Sequence, residues 1–136
     1  MKILGIDFGD SRTGFAVSDE LGFGANTLDN FKSHSLIKVA DYAAELAGSL
    51  GAEKIILGFP KNMNGTVGER GEKTKKLKSE LEKRTEIPVI LWDERLTTVS
   101  AHNLMNTTNV RGKKRKDSVD SISAAFILQS YLDSIK

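Results

Sequence analysis

Four carboxylates stand where their chemistry calls for an explanation. Asp7 interrupts the apolar stretch KILGIDFG, between Ile6 and Phe8. An ionised carboxylate in such a strand is costly unless a cation or several donors compensate it. The adjoining GDSR turn could donate to it, but Asp10 and Ser11 already suit that turn. Asp93 and Glu94 come together with Arg95 at the end of a second apolar run, IPVILW. Charge at a strand end also serves solubility, so the pair gains meaning only beside the other acids. Asp120 falls in the first turn of the last helical segment, beside Ser121, Ser123 and Ala124. The helix dipole favours an acid there, and the small neighbours would let a ligand or another backbone approach.

Strand residues alternate between faces, so only one of Asp93 and Glu94 can share a face with Asp7. If the strands carrying Asp7 and the Asp-Glu pair were neighbours, one acid from each plus Asp120 could converge. Three carboxylates without histidine or cysteine ligands favour a hard cation such as Mg²⁺ or Mn²⁺. On an acidic cluster, such ions stabilise the attacking and leaving oxygens of a phosphoryl displacement. His34 and His102 have no helical or short-loop partner and are read as incidental.

The elements that must position these acids follow from hydrophobic periodicity. Residues 2–9 form a strand with Leu4, Ile6 and Phe8 on one face and Ile3, Gly5 and Asp7 on the other. A second strand is expected over 13–19 and a weaker third near 25–30, joined as an antiparallel meander. From Ser35, apolar residues recur at helical spacing up to Leu50, and Gly51 supplies a stop. Residues 53–60 read as a buried strand. Thr66 and Glu69 have capping-box spacing before a charged helix to Arg84. IPVILWD is the fifth strand, TTVSAHNLM begins a further helix, and 118–135 forms the last. This order implies a single α/β domain over 1–136, with a mixed five-stranded sheet and helices on both faces. Open sheets of this kind place ligands at strand ends.

Composition narrows the classes further. The 136 residues contain no cysteine, which excludes disulfides, iron–sulfur clusters and thiolate zinc sites. No secretory leader or membrane-spanning stretch is visible, so a cytoplasmic protein is the expectation. The net charge of +2 is uninformative, but RGKKRK (111–116) places five basic residues in six positions and KTKKLK (73–78) adds four. Such clusters can hold polyanions or simply be solvated.

GIDFGDSRTGFAVSD, GFPKNMNGT, WDERLTT and KDSVDSISAAFILQSYL resemble, in order and spacing, the YqgF family of RNase H-like proteins. Its members are described as Holliday junction resolvases and as nucleases maturing the 5′ end of pre-16S ribosomal RNA. The resemblance implies an RNase H-like fold and a nuclease using one or two Mg²⁺ or Mn²⁺ ions. It carries the family's acids onto Asp7, the Asp93–Glu94 pair and Asp120, with Asp117 capping the helix. Relatives elsewhere in the superfamily often carry an acid at the end of the fourth strand. Here Gly58–Phe59 occupies that place, so the Asp-Glu-Arg segment must supply the carboxylate, and Glu94 has the longer reach. The resemblance also puts Pro60, Asn62, Asn64 and Gly65 beside the site to guide a nucleic-acid strand. Arg95 would meet a phosphate oxygen or lock one of the acids. Lys113, Lys114, Arg115 and Lys116 would grip the phosphate backbone.

The implied partner is nucleic acid: structured RNA, including pre-rRNA on the ribosome, or branched DNA, bound by a monomer or homodimer. Two rivals remain. DFGDSRTG also resembles the phosphate loop of the actin and sugar-kinase superfamily, whose enzymes clamp a nucleotide between two such domains. A ribosome- or RNA-associated binding factor with little catalysis would use the same basic loop.

Overall fold

The computed structural model describes residues 2–21, 24–60, 67–94 and 119–135, with residues 119 and 120 described through their backbone. The expected helix beginning TTVSAHNLM, the RGKKRK stretch and Thr66 lie outside the described residues. The described elements are β1 (Ile3–Asp7), β2 (Arg12–Ser18), β3 (Ala25–Lys32), α1 (Leu36–Leu50), β4 (Lys54–Phe59), α2 (Glu69–Arg84), β5 (Val89–Asp93) and α3 (Val119–Ser134). The strands form one sheet in the order β3-β2-β1-β4-β5. The first three strands pair antiparallel, while β4 pairs parallel with both β1 and β5. This is the expected mixed sheet with one correction. β1 and β5 are not neighbours, because β4 lies between them, and any convergence of their acids must cross that strand.

Helix ends follow from local chemistry. Ser35 caps α1, its hydroxyl accepting from the Lys38 N–H, and Gly51 stops it in the left-handed conformation at φ 69°. α2 departs from expectation: it starts at Glu69 after Gly68, with no side-chain cap bond. The capping box read from Thr66 and Glu69 therefore does not open this helix. Glu69 and Glu72 in its first turn, and Lys83 and Arg84 in its last, instead complement the dipole.

The two faces of the sheet hold separate cores. Leu4, Ile6, Phe15, Ile55 and Leu57 meet Val39, Ala40, Ala43 and Ala47 of α1 and Leu77 and Leu81 of α2. On the other face, Ile3, Ala16 and Ile56 meet Ala124, Ala125, Ile127, Leu128, Tyr131 and Leu132 of α3. The alternation expected for β1 is observed, with Leu4 and Ile6 in one core and Ile3 in the other. Fully burying a Leu or Ile contributes about 1.5–3 kcal/mol, so both layers are tied firmly to the sheet. Among the described residues, no helix is long and apolar enough to cross a membrane.

Candidate active site

The carboxyl ends of β1 and β4 and the N-terminal end of α3 meet at one edge of the molecule. α3 runs antiparallel to β1: Tyr131 lies by Lys54, which pairs with Ile3, whereas Ser121 reaches Phe15, which pairs with Ile6. The first turn of α3, carrying Asp120, is thereby delivered toward the end of β1 that carries Asp7. The helix can lie this close because Gly5 has no side chain. A Cβ there would sit 2.8 Å from the Leu128 Cβ and 3.0 Å from the Ala124 carbonyl oxygen.

Two further bonds fix this end of α3 and β5. The Phe15 N–H donates to the Ser121 hydroxyl at 3.4 Å, anchoring the helix one residue after Asp120. The Trp92 indole N–H donates to the Ser130 hydroxyl at 3.1 Å, and its ring meets Tyr131 edge-on at 5.4 Å. A buried tryptophan ordinarily finds such a partner. Here it fastens the last turn of β5 to the same helix.

The phase of β5 separates the acidic pair. Val89 and Leu91 belong with the α1/α2 core, and Ile90 and Trp92 with the α3 core. Asp93 therefore follows the α1/α2 face and Glu94 the α3 face, the face of Ile3, Gly5 and Asp7. Gly58 supplies an independent marker. A Cβ on Gly58 would collide with the Ile127 side chain and lie 2.8 Å from the Glu94 Oε1. The Glu94 carboxylate thus extends over β4 into the space that a side chain at position 58 would fill. The pairing of Ile6 with Leu57 sets Asp7 beside Gly58, so Asp7 and Glu94 follow the same sheet face on either side of a strand position with no side chain, both partly exposed.

The loop after Asp7 is held from the opposite side. The Arg70 guanidinium donates to the Phe8 carbonyl at 3.3 Å, and the Lys73 ammonium meets the Asp10 carboxylate at 3.5 Å. Gly71 permits α2 to approach Pro60, whose carbonyl oxygen would be 3.1 Å from a Cβ there. Pro60 and Val67 thus both pack against α2 at Gly71.

An all-oxygen pair of carboxylates, with a cradle at Gly58 that any larger residue would fill, fits a hard divalent cation. Among the described residues no group of three metal-binding side chains forms, so the third donor would have to come from elsewhere. Asp120 is placed on the proper turn by its backbone. Arg95, Asn62, Asn64, Lys113, Lys114, Arg115 and Lys116 lie outside the described residues. His34 is exposed between β3 and α1, away from these acids in the sequence order.

The absence of an acid at position 58 and the longer reach of Glu94 are both readable from the sequence, and Glu94 does lie over Gly58. The anchoring roles of Trp92 and Ser121 are not apparent from the sequence motifs. The available signals were a tryptophan directly before the acidic pair and a serine directly after Asp120.

The chain was compared with known proteins. The family model described as "RuvX: Holliday junction resolvase" matches residues 1–134. A protein of Acetivibrio thermocellus named "Putative pre-16S rRNA nuclease" is 48% identical over 136 residues, covering 98% of this chain and 96% of the relative. One of Bacillus subtilis with the same name is 44% identical over 139 residues, covering 99% of each. Among solved structures, T. thermophilus RuvC in complex with Holliday junction substrate superposes with a TM-score of 0.66 at 14% identity, covering 98% of this chain and 96% of that one. The fowlpox virus resolvase with Holliday junction DNA gives 0.60 at 14% identity, over 99% of both chains. These structural likenesses show that the chain shares the fold of those two proteins. Matched from end to end by the family model and by full-length relatives, the chain belongs to the RuvX family, the YqgF family of the motif resemblance.

Proposed function

We propose that the protein is a divalent-metal-dependent nuclease that hydrolyses phosphodiester bonds in the 5′-end processing of pre-16S rRNA. The observation that carries this reading is the Glu94 carboxylate lying over the bare backbone of Gly58, on the strand paired with β1 and on the sheet face that Asp7 follows. Asp7, Glu94 and Asp120 would hold one or two Mg²⁺ or Mn²⁺ ions. When bound, these supply activation of water and neutralisation of the leaving 3′-oxygen. The protein's own part is positional. Trp92 and Ser130 hold the strand that presents Glu94, and Ser121 holds the helix that presents Asp120. Arg95 meets a non-bridging phosphate oxygen. Asn62 and Asn64 guide the strand, and Lys113, Lys114, Arg115 and Lys116 hold its flanking phosphates.

The relatives' printed names support the ribosomal substrate. A second reading, resolution of branched DNA, is favoured by the family description. Cleavage of a pre-16S 5′ leader RNA and of a four-way DNA junction, each with Mg²⁺, discriminates between them. Asp7→Asn and Glu94→Gln should each lose more than about 10²-fold in cleavage rate while retaining binding. Loss of an outer partner of a metal ligand alone costs about 10–100-fold in affinity or activity. Asp93→Asn should lose far less than Glu94→Gln. Equal losses at 93 and 94 would sink the assignment of Glu94. Absence of cleavage on both substrates would leave a nucleic-acid-binding factor as the function.

A further inference from the structure

The same edge of the sheet carries a second charged feature, on the antiparallel side of Asp7. Asp7 pairs with Gly14, and Arg12 follows two residues beyond, on the same face and about 7 Å further out. Arg12 in turn pairs with Lys32 of β3, so the two side chains stand opposite each other on that face. Both are exposed, and neither makes an ion pair among the described residues. Asp29, three residues earlier on β3, is not paired with either. Like charges directly opposite one another on a sheet are destabilising.

Lys32 alone could be explained as edge protection, since charged residues on an edge strand discourage sheet-to-sheet pairing. Arg12 cannot, because β2 is an interior strand. Nor is the pair a frayed end. The Ser33 N–H donates to the Ser11 carbonyl at 3.0 Å, continuing the ladder past Arg12 and Lys32. Two cations without an acidic partner among the described residues are therefore held side by side on hydrogen-bonded backbone. Read across the edge, the face presents Glu94, the bare Gly58, Asp7, Arg12 and Lys32. Adjacent strands lie about 4.8 Å apart, so the cations begin one strand away from the acids.

We propose that Arg12 and Lys32 form a phosphate-binding subsite for the nucleic-acid backbone next to the carboxylates, separate from the 111–116 basic segment. Their mutual repulsion is relieved when a phosphodiester lies between them, and the strand is thereby aligned toward Asp7. This rests on the nuclease reading of the neighbouring acids, since it is that reading which brings a nucleic acid to this edge.

The test is fluorescence anisotropy across a salt series in EDTA, so that binding is read without cleavage. The probes are an immobile four-way DNA junction and an unstructured single-stranded RNA. The Arg12→Gln/Lys32→Gln double variant should bind at least about tenfold more weakly in 0.1 M salt. The slope of log affinity against log salt should shrink by about 1.8 on the junction and about 1.4 on the RNA, as two lost phosphate contacts require. Its melting temperature should equal or exceed that of the wild type, because a repulsion has been removed. The control, Lys38→Gln/Lys83→Gln, removes two exposed cations from α1 and α2 on the other side of the sheet, outside both basic clusters. An unchanged slope in the double variant, or an equal change in the control, overturns the subsite. If the wild type binds neither probe, the nuclease reading itself falls and takes this inference with it.

Discussion

The sheet face under α1 and α2 is filled with Leu4, Ile6, Phe15, Ile55 and Leu57, whereas the face under α3 sets Gly5, Ala16 and Gly58 among Ile3 and Ile56. The first face keeps its helices at a distance set by large side chains. On the second, α3 lies almost on the backbone, and polar groups reach between the layers: Ser121 to Phe15, Trp92 to Ser130, and Gln129 to the Ala25 N–H at 3.2 Å. Bulk gives the first face its cohesion, and it tolerates no loss of volume. Absence of bulk at Gly5 and Gly58 gives the second face its geometry, and those positions resist any gain. The acids proposed for chemistry lie on the second face, where fixed positions matter more than buried area.

The contrast can be broken from either side. Leu77→Ala, in the α1/α2 core, should cost about 2–5 kcal/mol in chemical denaturation. Below its lowered melting temperature it should cleave normally, since nothing near Asp7 or Glu94 has moved. Gly58→Ala adds one methyl on the α3 face, against Ile127 and Glu94. Overpacking of that kind costs about 1–3 kcal/mol, and the displaced Glu94 should also depress cleavage. Gly48→Ala in α1 is its counterpart, with nothing within 4 Å of the added carbon. It should stabilise by up to about 1 kcal/mol through helix propensity, with activity unchanged. If both glycine variants had the same sign of effect, the contrast between the faces would be lost.

The smallest effect concerns the outer rim of the helical layer. Arg84 of α2 bonds Asp41 of α1 at 2.6 Å and Glu80 at 3.0 Å. Glu80 also bonds Lys83, and that hydrogen bond, followed by the one from Arg84, holds the Glu80 carboxyl below its ordinary range. A depressed carboxylate stabilises the fold fully above its unfolded-state value, near pH 4.5. The contribution disappears as pH falls through the lower folded-state value. Glu80→Gln should therefore melt slightly below wild type at neutral pH, with the gap closing in acid and in high salt. A gap that widened on acidification would contradict this origin.

Much of the fold was legible because its signals are local. The helical spacing from Leu36 to Leu50 and the caps at Ser35 and Gly51 each depend on a few consecutive residues. The start of α2 misled for the same reason: the Thr66–Glu69 spacing satisfies a local rule, yet the chain enters the helix at Gly68. Strand neighbours are not local, and nothing within β1 or β5 reveals that β4 will lie between them. The choice between Asp93 and Glu94 could rest only on side-chain reach, which favours Glu94, because the phase of the strand is hidden. Val89, Ile90, Leu91 and Trp92 are all apolar, so this strand shows no alternation from which its phase could be read. Only contacts with the two cores disclose it.

Gly58 also places a limit on what descendants of this sequence can become. Two strands are able to deliver a carboxylate to the space over position 58: a short acid on β4, or a long one reaching across from the end of β5, as Glu94 does. The routes exclude each other, because a side chain at 58 would evict the one at 94. An acid can therefore migrate between these strands only by paired exchange, through an intermediate that either lacks the charge or crowds it.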